Sequence, residues 1–140
     1  MKINYYYLVV GILSVLFSFT HGLNGHTSVL PVVDASTVDL GTKTTLFYVW
    51  HIITAENFIF GIAFLLMSFY KNLSKGNLVS WLIVAILAIR WGVIFGSTLI
   101  LTKSSLAGIL IDSTAMIIYV GLILLGIRQN NRNRTKISND

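Results

Sequence analysis

The chain has 140 residues, 55% of them hydrophobic and only 11% charged, with a mean hydropathy of +0.79 and a formal net charge of +5. Soluble domains carry about 25% charged residues, so this composition excludes a soluble globular domain, and the length leaves room for one domain. The absence of cysteine removes disulfides, thiolate catalysis and iron–sulfur ligation together.

Four apolar runs, at about 5–20, 45–69, 78–101 and 106–127, read as membrane-spanning helices. About 20 apolar residues cross the ~30 Å hydrocarbon layer, a length the last three exceed and the first barely meets. Four such helices close into an all-α antiparallel transmembrane bundle with every backbone group bonded internally. This single membrane domain covers residues 1–128, followed by a tail at 129–140.

In the first run, Tyr7, Gly11, Ser14, Ser18 and His21 follow steps of 4, 3, 4 and 3, so they share one helical face. Lys2 and a short apolar stretch also fit a cleavable signal, but Ser18-x-Thr20 is a poor cleavage pattern. The polar and small-residue stripe favours a retained helix. Residues 22–43 form the longest polar stretch and are expected as an outer loop, with Val29–Val33 lying back on the membrane surface or dipping into the bundle mouth as a lid.

The second run presents Trp50, His51, Thr54, Asn57, Phe58, Gly61 and Ser68 on one broad face, expected to point inward. Glu56 lies about 140° from His51 on a helical wheel, so it meets a flanking helix or a second protomer. In the fourth run, Ser105, Gly108, Asp112, Ala115, Tyr119 and Gly126 are expected to face the bundle interior. The tail is rich in Asn, Arg and Lys and is expected to be a disordered topology anchor near anionic lipid, too short for nucleic-acid recognition.

Basic residues set the orientation. With the N-terminus inside, Lys2, Lys71, Lys75, Arg128, Arg132, Arg134 and Lys136 are cytoplasmic, while Lys43 and Lys103 lie outside. The positive-inside rule therefore puts both termini in the cytoplasm; the expected location is a bacterial-type cytoplasmic (inner) membrane.

Four ionisable residues, His51, Glu56, Arg90 and Asp112, fall inside the apolar runs. Arg, Lys or Asp at the bilayer centre costs roughly 2.5–3.5 kcal/mol by insertion scales, so such residues face partners, water or ligand. Glu56 and Arg90 each lie 12 residues from the outer surface, or ~18 Å at the helical rise. The matched depth suggests a charge-assisted Glu56–Arg90 pair. A pair of this kind also serves only to set helix register.

His51 and Asp112 match each other at a shallower depth, roughly 10 Å below the outer surface, and His21 and His26 lie toward the same end. Imidazole and carboxylate suit a metal site made from His21, His26, His51 and Asp112. They equally suit a proton-binding pair. No HxxH, HExxH, nucleophile elbow or phosphate-cradling glycine loop occurs, and no cofactor is indicated.

His21-Gly22 closing the first span, Leu30-Pro31 in the loop and Tyr48-Val49-Trp50-His51 opening the second resemble small uncharacterised bacterial four-span integral membrane proteins. The likeness spans most of the first 70 residues. The size is similar to that of DoxX-like proteins, and sterol-isomerase-like proteins likewise place His and Glu in membrane helices. Small multidrug exporters carry an embedded Glu in the first span, which this chain does not.

The expected function is binding of a small apolar or amphipathic ligand, a proton or a metal in an outward-opening polar pocket. His51 and Asp112 would contact it, His21 would line the entrance, and Glu56 with Arg90 would form the floor. The rivals are a proton-coupled transporter working as a homodimer, a non-enzymatic accessory subunit, and a membrane isomerase or metal enzyme using His51 or Glu56.

Overall fold

The computed structural model describes residues 3–69, 73–101 and 106–139, with the side chains of 73, 74, 106, 107, 109, 112 and 136–139 outside that description. The chain is all-α. Its elements are α1 (Tyr5–Asn24), a π-helical turn (Gly25–Val29), α2 (Leu30–Ala35), α3 (Leu40–Ser68), α4 (Leu73–Leu101) and α5 (Leu106–Asn139). No strand occurs among the described residues.

Among the described residues, four helical stretches are long and apolar enough to cross a membrane: Tyr5–Ala35, Leu40–Ser68, Lys75–Leu101 and Ser113–Thr135. Phe17, Phe19, Leu23, Ile52, Ile59, Leu66, Ile89, Val93, Ile117 and Ile118 all lie exposed on them. Soluble monomers rarely expose apolar surface on that scale, whereas lipid is the natural cover for it. The chain is a multi-pass membrane protein.

Two expectations change here. Residues 22–43 are not a loop: helix continues through the π turn and α2, and only residues 36–39 interrupt it. Pro31 sits in the first turn of α2, directly after the π turn. Ser36, in an extended conformation, ends α2 with its N–H donating to the Val33 carbonyl at 3.2 Å. Asp39 then caps α3, accepting the Thr42 N–H at 3.0 Å and the Thr42 hydroxyl at 2.6 Å. The tail, expected to be disordered, is helical as far as Asn139.

The described residues form two compact units, Met1–Val10 with Leu66–Asp140, and Gly11–Leu65. In the second, α1 and α3 meet at small residues. A Cβ on Gly11 would lie 2.8 Å from the Leu65 backbone nitrogen, and one on Gly61 would lie 2.9 Å from that of Val15. Glycine at both points lets the backbones approach, as membrane helices favour. Ser18 Oγ donates to the Thr54 carbonyl at 2.9 Å. Ser14 and Ser18 are buried, so the polar stripe read from α1 does form its packed face. Phe58, expected inward, is exposed and meets Phe19 edge-on at 6.3 Å, while Phe60 and Phe64 are buried.

The first unit is organised around amides. Asn4 Nδ2 donates to the Gly126 carbonyl at 2.8 Å and to Asn130 Oδ1 at 2.7 Å. Asn130 Nδ2 continues to Asn77 Oδ1 at 3.0 Å, and Asn77 Nδ2 to Asn131 Oδ1 at 2.7 Å. Ser80 Oγ donates to the Tyr7 hydroxyl at 2.7 Å, and the Asn4 N–H donates to the Ser68 carbonyl at 3.0 Å. Asn4, Tyr7, Ser80 and Asn130 are all buried, which makes their bonds costly to lose, while the Asn77–Asn131 bond is exposed. The start of α1, the end of α3, α4 and α5 are thus held by one chain of hydrogen bonds.

The inner face of α5 differs in part from the expected one. Gly126 is buried as expected, but Gly108 and Ala115 are exposed, and Ser113, Ile123, Ile127 and Asn130 are buried besides. Trp91 Nε1 donates to Ser113 Oγ at 3.0 Å, and this bond together with those of Asn130 places Ser113 and Asn130 on the packed side of α5. Tyr119 remains half-buried, and Ser105 and the Asp112 side chain lie outside the described residues.

Candidate functional site

The histidines gather in the unit Gly11–Leu65, around the π turn. A π-helical turn widens the ladder by one residue, and such turns are frequent at functional sites. Here the widened turn begins at Gly25, where a Cβ would stand 2.1 Å from Trp50 Nε1. Glycine is therefore what admits the indole edge. Trp50 Nε1 donates to the His21 carbonyl at 3.0 Å, and the indole stacks on the His21 ring at 4.3 Å between centroids and 7° between planes. One side chain thus pins the last turn of α1 by both a hydrogen bond and a face-to-face contact.

One position beyond Gly25, His26 faces α3. Its ring lies 5.0 Å from that of His51, tilted by 40°, and 6.3 Å edge-on from Phe47. Phe47 in turn meets His51 at 4.5 Å in a T-shaped contact. Phe47 and His51 are one helical turn apart on α3, so they present one face to the π turn. Two imidazoles and a phenyl ring make a small aromatic cluster with polar nitrogens, next to the Trp50–His21 stack.

Beside this cluster lies an open cleft of about 510 Å³, lined by His26, Leu30, Pro31, Val33, Asp34, Leu40, Lys43, Thr44 and Phe47. The volume falls within the roughly 300–1,000 Å³ of small-molecule sites. Its lining is mostly apolar with few polar groups, as such sites require. Lys43 Nζ donates to the Asp34 carbonyl across the corner between α2 and α3.

Of the residues expected from the sequence, His21, His26 and His51 come together at one end of the helix pair. Glu56 is half-buried farther along α3, and Arg90 is half-buried on α4 in the other unit. Among the described residues, no group of three or more His, Asp or Glu side chains converges to hold a metal ion; the Asp112 side chain lies outside them. His26 and His51 are thus the pair on which a metal reading would rest.

Three features escaped the sequence reading. The π turn has no sequence signature beyond Gly25. The stacking of Trp50 on His21 needs the register of two helices. The cleft exists because residues 25–35 are helical. The combination of Gly22 and Gly25 opposite Thr54 and Trp50 was a usable hint, since small residues mark where helices approach.

Comparison with protein families, curated proteins and solved structures finds no match for the chain. The roles of its residues are therefore read from their own chemistry.

Proposed function

We propose that this small multi-pass membrane protein binds a small ligand at the end of the α1–α3 pair, in the cleft bordered by the histidine–aromatic cluster. The convergence of His26, His51 and Phe47 on a π turn, beside an apolar cleft with a few polar groups, carries this reading. Ligand classes compatible with these side chains are a small amphiphile, a proton held by imidazole, or a metal held by His26 and His51. In this reading His21 lines the entrance, and Glu56 lies deeper along α3 in the same unit. The distribution of basic residues supports a bacterial inner-membrane location, with both termini cytoplasmic and the cleft outside.

Native mass spectrometry of the protein released from mild detergent tests this, beside His51→Ala. A co-purifying organic or metal mass present in the wild type and lost in His51→Ala is the expected result. Ligand retention in His51→Ala at wild-type occupancy would refute the site.

A second reading, a proton-coupled transporter working as a homodimer, draws on α4. Gly92 and Gly96 are four residues apart, and nothing among the described residues lies within 4 Å of a Cβ at either. Small residues at this spacing allow a second helix to approach closely. Gly92→Ile should dissociate a dimer observed by native mass spectrometry; an unchanged dimer would remove this support.

A further inference from the structure

We infer that the ligand of the cleft is an amphipathic anion, with its carboxylate or phosphate head on Lys43 and its apolar body against Leu30, Pro31, Leu40 and Phe47. This rests on the proposed ligand site and names the class that site takes.

Position comes first. Helix α3 is 29 residues long, while about 20 residues span the hydrocarbon layer. Centred in a bilayer, the helix leaves its first turn, including Lys43 and Thr44, at headgroup level. Phe47 and His51 then begin the hydrocarbon depth. The cleft sits on this boundary, between the end of Tyr5–Ala35 and the start of Leu40–Ser68, which only residues 36–39 join. A ligand lying there has one end in water and the other in lipid.

Charge comes next. Lys43 is half-buried, and its ammonium donates to a neutral main-chain carbonyl, that of Asp34. No carboxylate among the described residues forms an ion pair with it. A lysine has three donors, so two remain for an incoming anion. Asp34 also borders the cleft and is exposed, so its side chain is free to turn to water, whereas the Lys43 ammonium is held at the cleft by its bond to the Asp34 carbonyl. The fixed charge that the head meets is positive.

Shape selects the rest. Leu30 is buried and Pro31 and Phe47 line the same wall, which gives an apolar body a surface to cover. At about 510 Å³ the cleft is the size of a drug-like ligand or one short acyl chain. The same head chemistry arises from a free single-chain amphiphile and from an anionic bilayer lipid.

The test uses the full chain in a neutral detergent, titrated with dodecanoate, with uncharged dodecanol and with phosphatidylglycerol, bound species being counted by native mass spectrometry. Wild type should prefer dodecanoate over dodecanol by about tenfold, as one charge-assisted hydrogen bond provides. Lys43→Gln should bring the two to parity, Lys43→Arg should keep the preference, and Asp34→Asn should keep or increase it. Phosphatidylglycerol binding as tightly as dodecanoate would name the bilayer as source; dodecanoate alone would name a free amphiphile. Equal binding of dodecanoate and dodecanol, both lost in His51→Ala, would overturn the anion while leaving the ligand site standing. Binding of none of the three would overturn the anion, and a wild type that also co-purifies with no ligand would overturn the site itself.

Discussion

Replacing Gly25 by alanine adds a single methyl group at the point where α1 passes into the π turn. That methyl would stand 2.1 Å from Trp50 Nε1, 2.5 Å from its Cδ1 and 2.9 Å from its Cε2. The indole must withdraw by roughly 1.3 Å to reach ordinary contact at 3.4 Å. Withdrawal stretches the 3.0 Å bond to the His21 carbonyl and opens the 4.3 Å stack on the His21 ring. Overpacking of this kind costs about 1–3 kcal/mol, and a partly buried N–H left without its acceptor costs about 1–3 kcal/mol more. Alanine recovers roughly 0.5–1 kcal/mol through its better helix propensity. The expected net loss is about 1–5 kcal/mol by those same terms. Unfolding in mixed micelles, followed by Trp50 emission in a Trp81→Phe, Trp91→Phe background, measures it. Gly92→Ala is the control: nothing among the described residues lies within 4 Å of its Cβ, so it should be neutral or slightly stabilising. A Gly25→Ala protein as stable as Gly92→Ala, with unshifted Trp50 emission, would refute the argument that glycine admits the indole.

Other outcomes can be checked independently. Asn4→Leu removes both donor bonds to Gly126 and Asn130, so it should lower stability by about 1–3 kcal/mol; an unaltered unfolding curve would show that the amide chain carries no stability. Tyr7→Phe removes the acceptor of the Ser80 hydroxyl and should cost about 1 kcal/mol in the same assay. The Thr42 hydroxyl, with help from the Thr42 N–H, holds the Asp39 carboxyl below its ordinary 3.8. The cap on α3 is therefore fully formed above about pH 4, the unfolded range of an aspartate, and is lost as pH falls through the lower folded value. Amide exchange at Gly41–Lys43 should accelerate in that acid range, beyond the intrinsic pH trend, in wild type but not in Asp39→Asn. From the depth match in the sequence, Glu56→Gln and Arg90→Gln should each lower membrane yield, and the exchange Glu56→Arg with Arg90→Glu should recover it; a swap no better than the singles would separate the two residues.

The four spans were legible because they depend on composition alone: a run of apolar residues longer than the hydrocarbon layer has no other stable place to go. The stripe of Tyr7, Gly11, Ser14 and Ser18 was legible too, because polar and small residues are rare enough in such a run for a helical period to stand out. The α5 face was not. With Leu and Ile on every side, a membrane helix has little amphipathic contrast, since lipid is as apolar as the packed interior. That Ser113 lies on the packed side rests on a hydrogen bond from Trp91 on another helix. Residues 22–43 misled for the opposite reason. Their polar composition and proline suggested a loop, yet helix continues through them, with Pro31 directly after the π turn and the Thr27 hydroxyl bonded to its own helix.

Sequence by itself determined the class, the number of spans and the end at which the histidines gather. These follow from local apolar length and from position along each run. Tertiary structure decided which ring stacks on which, that Gly25 makes room for Trp50, and that Asn4, Asn77, Asn130 and Asn131 form one chain of hydrogen bonds. Directional contacts between side chains far apart in sequence depend on helix rotation and register, which apolar helices in an apolar solvent do not announce.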